Sequence, residues 1–304
     1  MEKMNNCIVG IGEILWDVFP ERKVLGGAPA NFAFHVSQLG FDGVAVSAIG
    51  SDVLGTEIIN NLKDKKLNHQ IETVPFPTGT VQVTLSGDGI PQYEICENVA
   101  WDNIPFTPQI ETMAQSTRAV CFGSLAQRSN ISQQTITQFL SKVSPEAYKV
   151  FDINLRQHFY SRELIEASLR QCNILKINDE ELIIVTKLFD WEFTTEEAVC
   201  LRLLQTFQLQ ILILTKGANG SLVLTLTDDS FIETPKVKVA DTVGAGDSFT
   251  GAFVAALLSG KTICEAHQLA VDVSAFVCTQ HGAMPTLPAH LVERLKVPTG
   301  QHKL

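Results

Sequence analysis

The 304-residue sequence has no C-x-x-C pair and no surplus of positive charge. It also has no run approaching the ~20 apolar residues that a membrane-spanning helix needs. Its seven cysteines (Cys7, Cys96, Cys121, Cys172, Cys200, Cys264 and Cys278) are odd in number and scattered among mostly apolar neighbours. They read as reduced core thiols, not as a disulfide or metal framework. With a formal net charge of -10 and a pI of about 5.2, the chain repels polyanions at long range, so nucleic acid is not an expected partner. The segment from Met1 to Asn6 runs into a strand-like stretch without the apolar core of a secretion signal. The expected location is cytoplasmic, with no membrane partner. Three chemical signatures are also missing: a G-x-x-x-x-G-K-[ST] loop, a G-x-S-x-G elbow and an H-E-x-x-H helix. The seven histidines show no ligand spacing, and His35 and His281 read as packing or rim residues. Gly10-Ile11-Gly12 follows an apolar run, but Leu15 stands where a dinucleotide fingerprint needs its third glycine.

What the chain does contain is 45% hydrophobic and 18% charged residues, the profile of a compact globular protein. Strand-like and helical patterns alternate, which predicts an α/β fold, a mainly parallel sheet flanked by helices on both faces. The candidate strands are Cys7–Gly12, Val44–Ile49, Ala119–Phe122, Lys149–Ile153, Ile174–Ile177 and Ile211–Leu214. Helical patterns fall at Ala30–Leu39, Val53–Lys63, Ser132–Lys142, Ser161–Leu169, Asp179–Leu188, Thr195–Leu204, Ser248–Leu258 and Ile263–Cys278. One region breaks the alternation: Thr80–Leu85, a turn at Ser86-Gly87-Asp88-Gly89, and Gln92–Cys96 read as a hairpin with no following helix. Residues 1–304 are therefore expected to form one domain with a small β-sheet lid from about 13–25 and 78–103.

The segment Asp241-Thr242-Val243-Gly244-Ala245-Gly246-Asp247-Ser248 places two carboxylates around a run of small residues, the second opening an amphipathic helix. Small residues admit a ligand close to the backbone, and free N–H groups at a helix start favour an anion. Asp247 would then stand where a hydroxyl nucleophile loses its proton. The plainer alternative is a turn with Asp247 or Ser248 as its N-cap. Gly26-Gly27-Ala28-Pro29-Ala30-Asn31 reads as a loop entering a helix, with Pro29 in its first turn and Gly40 past its end. Asp17, a charge among Leu15, Trp16, Val18 and Phe19, either faces solvent or meets a ligand.

From Asp241 to Phe253 the string resembles the C-terminal signature of the ribokinase-like (phosphofructokinase B type) carbohydrate kinases, and Gly26–Ala33 resembles their second signature. The resemblance runs from Asp17 to about Gly282 and is nearest the fructokinase branch. It implies a ribokinase-like fold and an ATP-dependent kinase that phosphorylates a primary hydroxyl of a free sugar, fructose giving fructose 6-phosphate. Ribose, 2-keto-3-deoxygluconate and nucleosides are alternative acceptors on the same scaffold, and a non-catalytic sugar-binding protein is a further alternative.

By the same resemblance, Asp247 is the base, and Gly244, Ala245 and Gly246 form the anion hole. Asp17, Gly26, Gly27 and Asn31 hold the sugar; Asn154 and Arg156 are expected to join them, because the run from Asp152 to Arg156 follows an apolar strand at the edge where such sheets bind ligands, the alternative being a capped turn. Asn178, Thr215, Lys216, Gly217, Gly220 and Gly246 lie against ATP. Glu181 meets Mg²⁺ through water, and Asp241, Val243, Val277, Gln280 and Gly282 line a K⁺ site. A homodimer through the lid is expected on the same ground.

Overall fold

The computed structural model describes residues 7–85 and 91–295; the turn expected at Ser86-Gly87-Asp88-Gly89 lies outside them. In chain order the first elements are β1 (Cys7–Ile11), β2 (Leu15–Val18), β3 (Lys23–Gly26), α1 (Ala28–Gln38), β4 (Asp42–Gly50), α2 (Val53–Asp64), β5 (Asn68–Val74), β6 (Gly79–Leu85) and β7 (Pro91–Ile95). After a short 3-10 helix at Ala100–Asn103 come α3 (Pro108–Ser116), β8 (Thr117–Phe122), α4 (Asn130–Lys142), β9 (Tyr148–Asp152), α5 (Arg162–Leu169), β10 (Ile174–Asn178), α6 (Asp179–Leu188) and α7 (Glu196–Phe207). The chain continues through β11 (Ile211–Thr215), β12 (Ser221–Leu224), β13 (Asp229–Ile232), α8 (Ala245–Leu258), α9 (Ile263–Cys278) and α10 (Ala289–Glu293).

Nine strands form the main sheet in the order β13-β12-β11-β10-β9-β8-β1-β4-β5. From β11 to β5 all neighbours are parallel, and β12 and β13 add an antiparallel edge. Side chains alternate across the sheet as strand geometry demands. Val9, Ile11, Leu175, Ile177, Leu212 and Leu214 pack on one face with residues of α4 to α7. Ile8, Ile174, Ile211 and Ile213 pack on the other with α1, α8 and α9. Both faces are covered, so the inner parallel strands are mainly apolar, while the outermost parallel strand β5 is polar and half-exposed.

Strand order reverses at β1: the chain runs to one side through β4 and β5, then resumes on the other side at β8. That is the position at which open α/β sheets place ligands, beyond the carboxyl ends of the strands. The four remaining strands form a separate sheet, β3-β2-β6-β7, whose outer pairs are antiparallel and whose central pair, β2 with β6, is parallel. Segment 14–19 thus joins the hairpin strands through β2.

Several elements carry no clear pattern in sequence. β5 is half-exposed and polar, β12 and β13 are four residues each, and α3 has only Ile110 and Ala114 buried. Tertiary pairing, not local periodicity, makes them regular.

Candidate active site

The site begins with backbone geometry. Gly244 has φ 77° and caps α8, and a Cβ there would lie 2.6 Å from the Ala283 side chain, so only glycine fits. The helix starts at once with Ala245, Gly246 and Asp247. Ala245 N–H donates to the Thr242 carbonyl at 3.3 Å, which leaves the N–H groups of Gly246 and Asp247 in the first turn without an intrahelical acceptor. Neither Asp247 nor Ser248 serves as the cap; the Ser248 hydroxyl donates to the Ala245 carbonyl at 2.9 Å.

Asp247 is held from another element. Asn31, in the first turn of α1, donates from Nδ2 to Asp247 Oδ2 at 2.7 Å. Burial pushes the Asp247 carboxyl up to about 6 and the neighbouring Asp152 adds to the rise, while the Asn31 bond, Lys176 and Arg156 oppose it. Under this turn lies a buried ion pair. Lys176 Nζ donates to both Asp152 oxygens at 2.9 and 3.0 Å, with side-chain exposures of 11% and 7%. The Thr250 hydroxyl stands 3.1 Å from Asp152 Oδ2 and 3.0 Å from the Gly246 carbonyl. A Cβ on Gly246 would come within 3.0 Å of Lys176 Nζ, so the glycine lets the ammonium approach the helix start.

On the opposite wall, Gly27 has φ 122°, and a Cβ there would lie 2.5 Å from the Glu13 carbonyl oxygen. A Cβ on Gly26 would lie 2.8 Å from Asp17 Oδ2, so the Asp17 carboxylate leans over this loop. Burial raises the Asp17 carboxyl and Arg156 opposes the rise. Arg156 is exposed and stands in the loop after β9, where Asn154 and Gln157 adopt φ 45° and 48°. Its guanidinium favours the ionised forms of Asp17, Asp247 and Glu13 alike, so all three carboxyls lie within its electrostatic reach. From the same loop Gln157 Nε2 donates to the Tyr93 carbonyl of β7 at 2.7 Å.

A third wall is the strand-end pair Asn178 and Thr215, which are register partners in β10 and β11. Asn178 and Glu181 form a capping box at α6: Asn178 Oδ1 accepts from Glu181 N–H at 2.8 Å, and Glu181 Oε2 from Asn178 N–H at 3.0 Å. Glu181 Oε1 accepts from Leu155 N–H at 2.8 Å. The acidic first turn of α6 is thus a structural cap as well as a candidate ligand. Gly217 and Gly220 both have positive φ, and Thr234 closes their loop by donating to the Gly217 carbonyl at 2.6 Å and accepting from Gly220 N–H at 3.1 Å. Lys216 pairs with Glu196 at 2.7 Å, away from the helix start of α8.

Of the residues expected around a monovalent cation, Asp241 binds Val243 N–H at 3.0 Å and Gly282 N–H at 3.2 Å, so one carboxylate ties those two loops. Val277 accepts from Gln280 N–H at 2.9 Å. Among the described residues no group of three or more His, Cys, Asp or Glu side chains is arranged to hold a metal ion directly. No helix among them is long and apolar enough to cross a membrane.

Sequence reasoning missed Glu13, Lys176 and Thr234, and read Asp152 only within a strand-end run that either meets a ligand or forms a capped turn, not as the partner of Lys176. The one trace that Glu13 and Lys176 left was a lone charge in an apolar run, which by itself does not tell a site residue from a solvent-facing one.

Residues 13–290 match the family described as pfkB family carbohydrate kinase. Probable fructokinase-5 of Arabidopsis thaliana is 29% identical, over 92% of this chain and 94% of its own length. ATP-dependent 6-phosphofructokinase of Thermoanaerobacterium thermosaccharolyticum is 24% identical, over 92% and 90%. The crystal structure of fructokinase from Vibrio cholerae O395 in its fructose, ADP and calcium ion bound form is 25% identical, with a TM-score of 0.80 and coverage of 96% of this chain and 100% of that one. Fructokinase from Xylella fastidiosa with bound ATP, at 20% identity, shares the fold with a TM-score of 0.83, over 96% and 98%.

Proposed function

The chain belongs to the pfkB family of carbohydrate kinases and is a phosphotransferase with an alcohol acceptor; from that premise we propose that it transfers the γ-phosphoryl group of ATP to the primary hydroxyl of free fructose. The observation that carries the reading is a single one. Asp247 stands at the open start of α8, raised to about 6 by burial and aimed by Asn31 from the sugar-side helix.

In this reading the sugar lies between Asp17, Gly26, Gly27 and Asn31 on one side and Asn154 and Arg156 on the other. Asp247 accepts the proton of the attacking hydroxyl as the new O–P bond forms and the bond to the ADP oxygen breaks. The backbone of Gly244, Ala245 and Gly246, with the N–H of Asp247, receives the charge that spreads over the transferring oxygens. Thr215, Lys216, Gly217, Gly220 and Asn178 border the nucleotide.

After its two backbone N–H bonds Glu181 keeps one lone pair on each oxygen, enough to accept from a water molecule carried by a divalent ion. When bound, Mg²⁺ neutralises phosphate charge there. The loops tied by Asp241, with Val243, Val277, Gln280 and Gly282, would hold K⁺. The small sheet would act as the lid, excluding water that competes with the sugar, and its uncovered face would pair with a second copy.

The test is a panel of free fructose, ribose, 2-keto-3-deoxygluconate, a nucleoside and fructose 6-phosphate, with ADP release and phosphorylated product both measured. Fructose is expected to give the highest kcat/KM. A different best acceptor overturns the fructose assignment, and no turnover with any of them leaves a binding protein. Light scattering at micromolar protein checks the assembly, and a strictly monomeric mass removes the dimer.

A further inference from the structure

We infer that Glu13 reads a hydroxyl of the acceptor sugar other than the one phosphorylated, an inference that rests on the sugar-kinase reading above. Glu13 follows β1 by two positions, at the strand-order reversal where this class of sheet binds ligands. Its side chain is turned inward, at 4% exposure.

No cation neutralises it there by direct contact. Its own backbone N–H and then the Ala28 N–H, first of the α1 helix, help to hold the carboxyl, the latter supplying what the cap residue Gly27 lacks. The second oxygen, Oε2, is buried without any partner. Native proteins rarely leave such atoms unpaired, and each calls for an explanation. Neighbouring side chains supply none for Oε2, since Gly12, Ile14, Gly27 and Ala28 have no polar side chain, and the favourable charge that reaches it, Arg156, is exposed and bonds the Leu155 carbonyl.

A second orphan lies close in the fold. Asn31 Oδ1, on the same first turn of α1, is also buried and unpartnered, while its Nδ2 holds Asp247. Glu13 feels the charges of both Asp247 and Arg156, so it lies within electrostatic reach of the groups that border the proposed sugar cleft. The missing partner therefore comes from whatever fills that cleft. Burial raises the Glu13 carboxyl to about 7, so near neutrality it can offer either a proton or a lone pair. A sugar hydroxyl, donor and acceptor at once, suits both states.

The experiment uses the free sugar that the wild type phosphorylates best, together with its monodeoxy analogues, on wild type, Glu13→Ala and Glu13→Gln. Glu13→Ala is expected to lose about ten- to a hundredfold in kcat/KM for the sugar, the range for a site that bonds a hydroxyl, while KM for ATP stays within about twofold. One analogue should be poor for wild type yet cost Glu13→Ala nothing further, because the group it lacks is the one Glu13 reads. Glu13→Gln should fall between the two. Losses of equal size on every analogue would overturn the inference and leave a capping residue with a buried water; so would a matching rise in KM for ATP. Should Glu13→Ala fail to fold in a melting curve, Glu13→Gln carries the same comparison. A wild type that turns over no free sugar refutes the parent reading and this inference with it, an outcome distinct from an active wild type without coupling.

Discussion

Asn31 and Asp247 are 216 positions apart in sequence and 2.7 Å apart in space. One bond therefore joins the helix that follows the glycine loop to the helix that opens the anion hole. Replacing Asp247 by Asn keeps its size and its ability to accept that bond but removes its basicity. Phosphoryl transfer should fall by on the order of 10²–10⁴, the usual worth of a general base. Steady-state kinetics beside a melting curve decide: full activity in a folded Asp247→Asn protein would refute the mechanism.

The ionised form of Asp247 is the active one, so kcat/KM should rise with pH through about 6 and level off above it. Asn31 favours the ionised form by donating to it. Asn31→Ala should move the acid limb upward by on the order of one pH unit, beyond any change in sugar affinity. An unmoved limb in the pH profile removes Asn31 from this role.

The pair of Lys176 and Asp152 is closed off from solvent, and Lys176→Met would strand the Asp152 carboxylate. The expected loss is about 3–5 kcal/mol in stability, read from urea denaturation. Lys176 also favours the ionised Asp247, so any folded fraction should show a raised acid limb. A variant as stable as wild type contradicts this account.

Glu13 makes a prediction about stability. Its carboxyl is raised from 4.5 to about 7 in the folded state, so the native protein binds that proton more tightly than the unfolded chain. Its contribution is therefore most favourable below pH 4.5 and is lost as pH rises to about 7, by up to about 3 kcal/mol. Glu13→Gln lacks this dependence. The melting temperature of Glu13→Gln minus that of wild type should increase from pH 5 to pH 8; a constant difference means that Glu13 does not titrate in this window.

For the loops tied by Asp241, replacing K⁺ with a large organic cation at constant ionic strength should lower the rate. An unchanged initial rate across that replacement withdraws the cation site.

The glycine-flanked Asp247 and the loop at Gly26 and Gly27 stood out in sequence through their resemblance to family signatures, since small residues beside a helix start also make ordinary turns, and the alternating strands and helices made the main sheet legible by their periodicity. Glu13 and Lys176 were not, since each is one charged residue inside an apolar run, and only the fold shows whether such a charge meets solvent, a partner or an empty place. Asp152 was not legible as half of an ion pair because its partners, Lys176 and Thr250, come from β10 and α8. The polar strand β5 and the short pair β12 and β13 escaped notice because neighbouring strands, not their own periodicity, hold them.

The small sheet is strung between body segments on four short lengths of chain: Gly12 to Ile14, Gly27 alone, residues 75–78 and residues 96–99. A plate moored so tightly can swing but cannot slide. Glu13 and Gly27 belong to the moorings themselves, whereas Tyr93 lies out on the plate and is pinned by Gln157. On the proposed reading a swing has its pivot near Glu13 and Gly27 and its longest travel at the far end of the β6–β7 pair, where Leu85 meets Pro91. The geometry proposed to read the sugar would then sit on the axle, and the bond from Gln157 to the Tyr93 carbonyl would be the latch that a swing has to release.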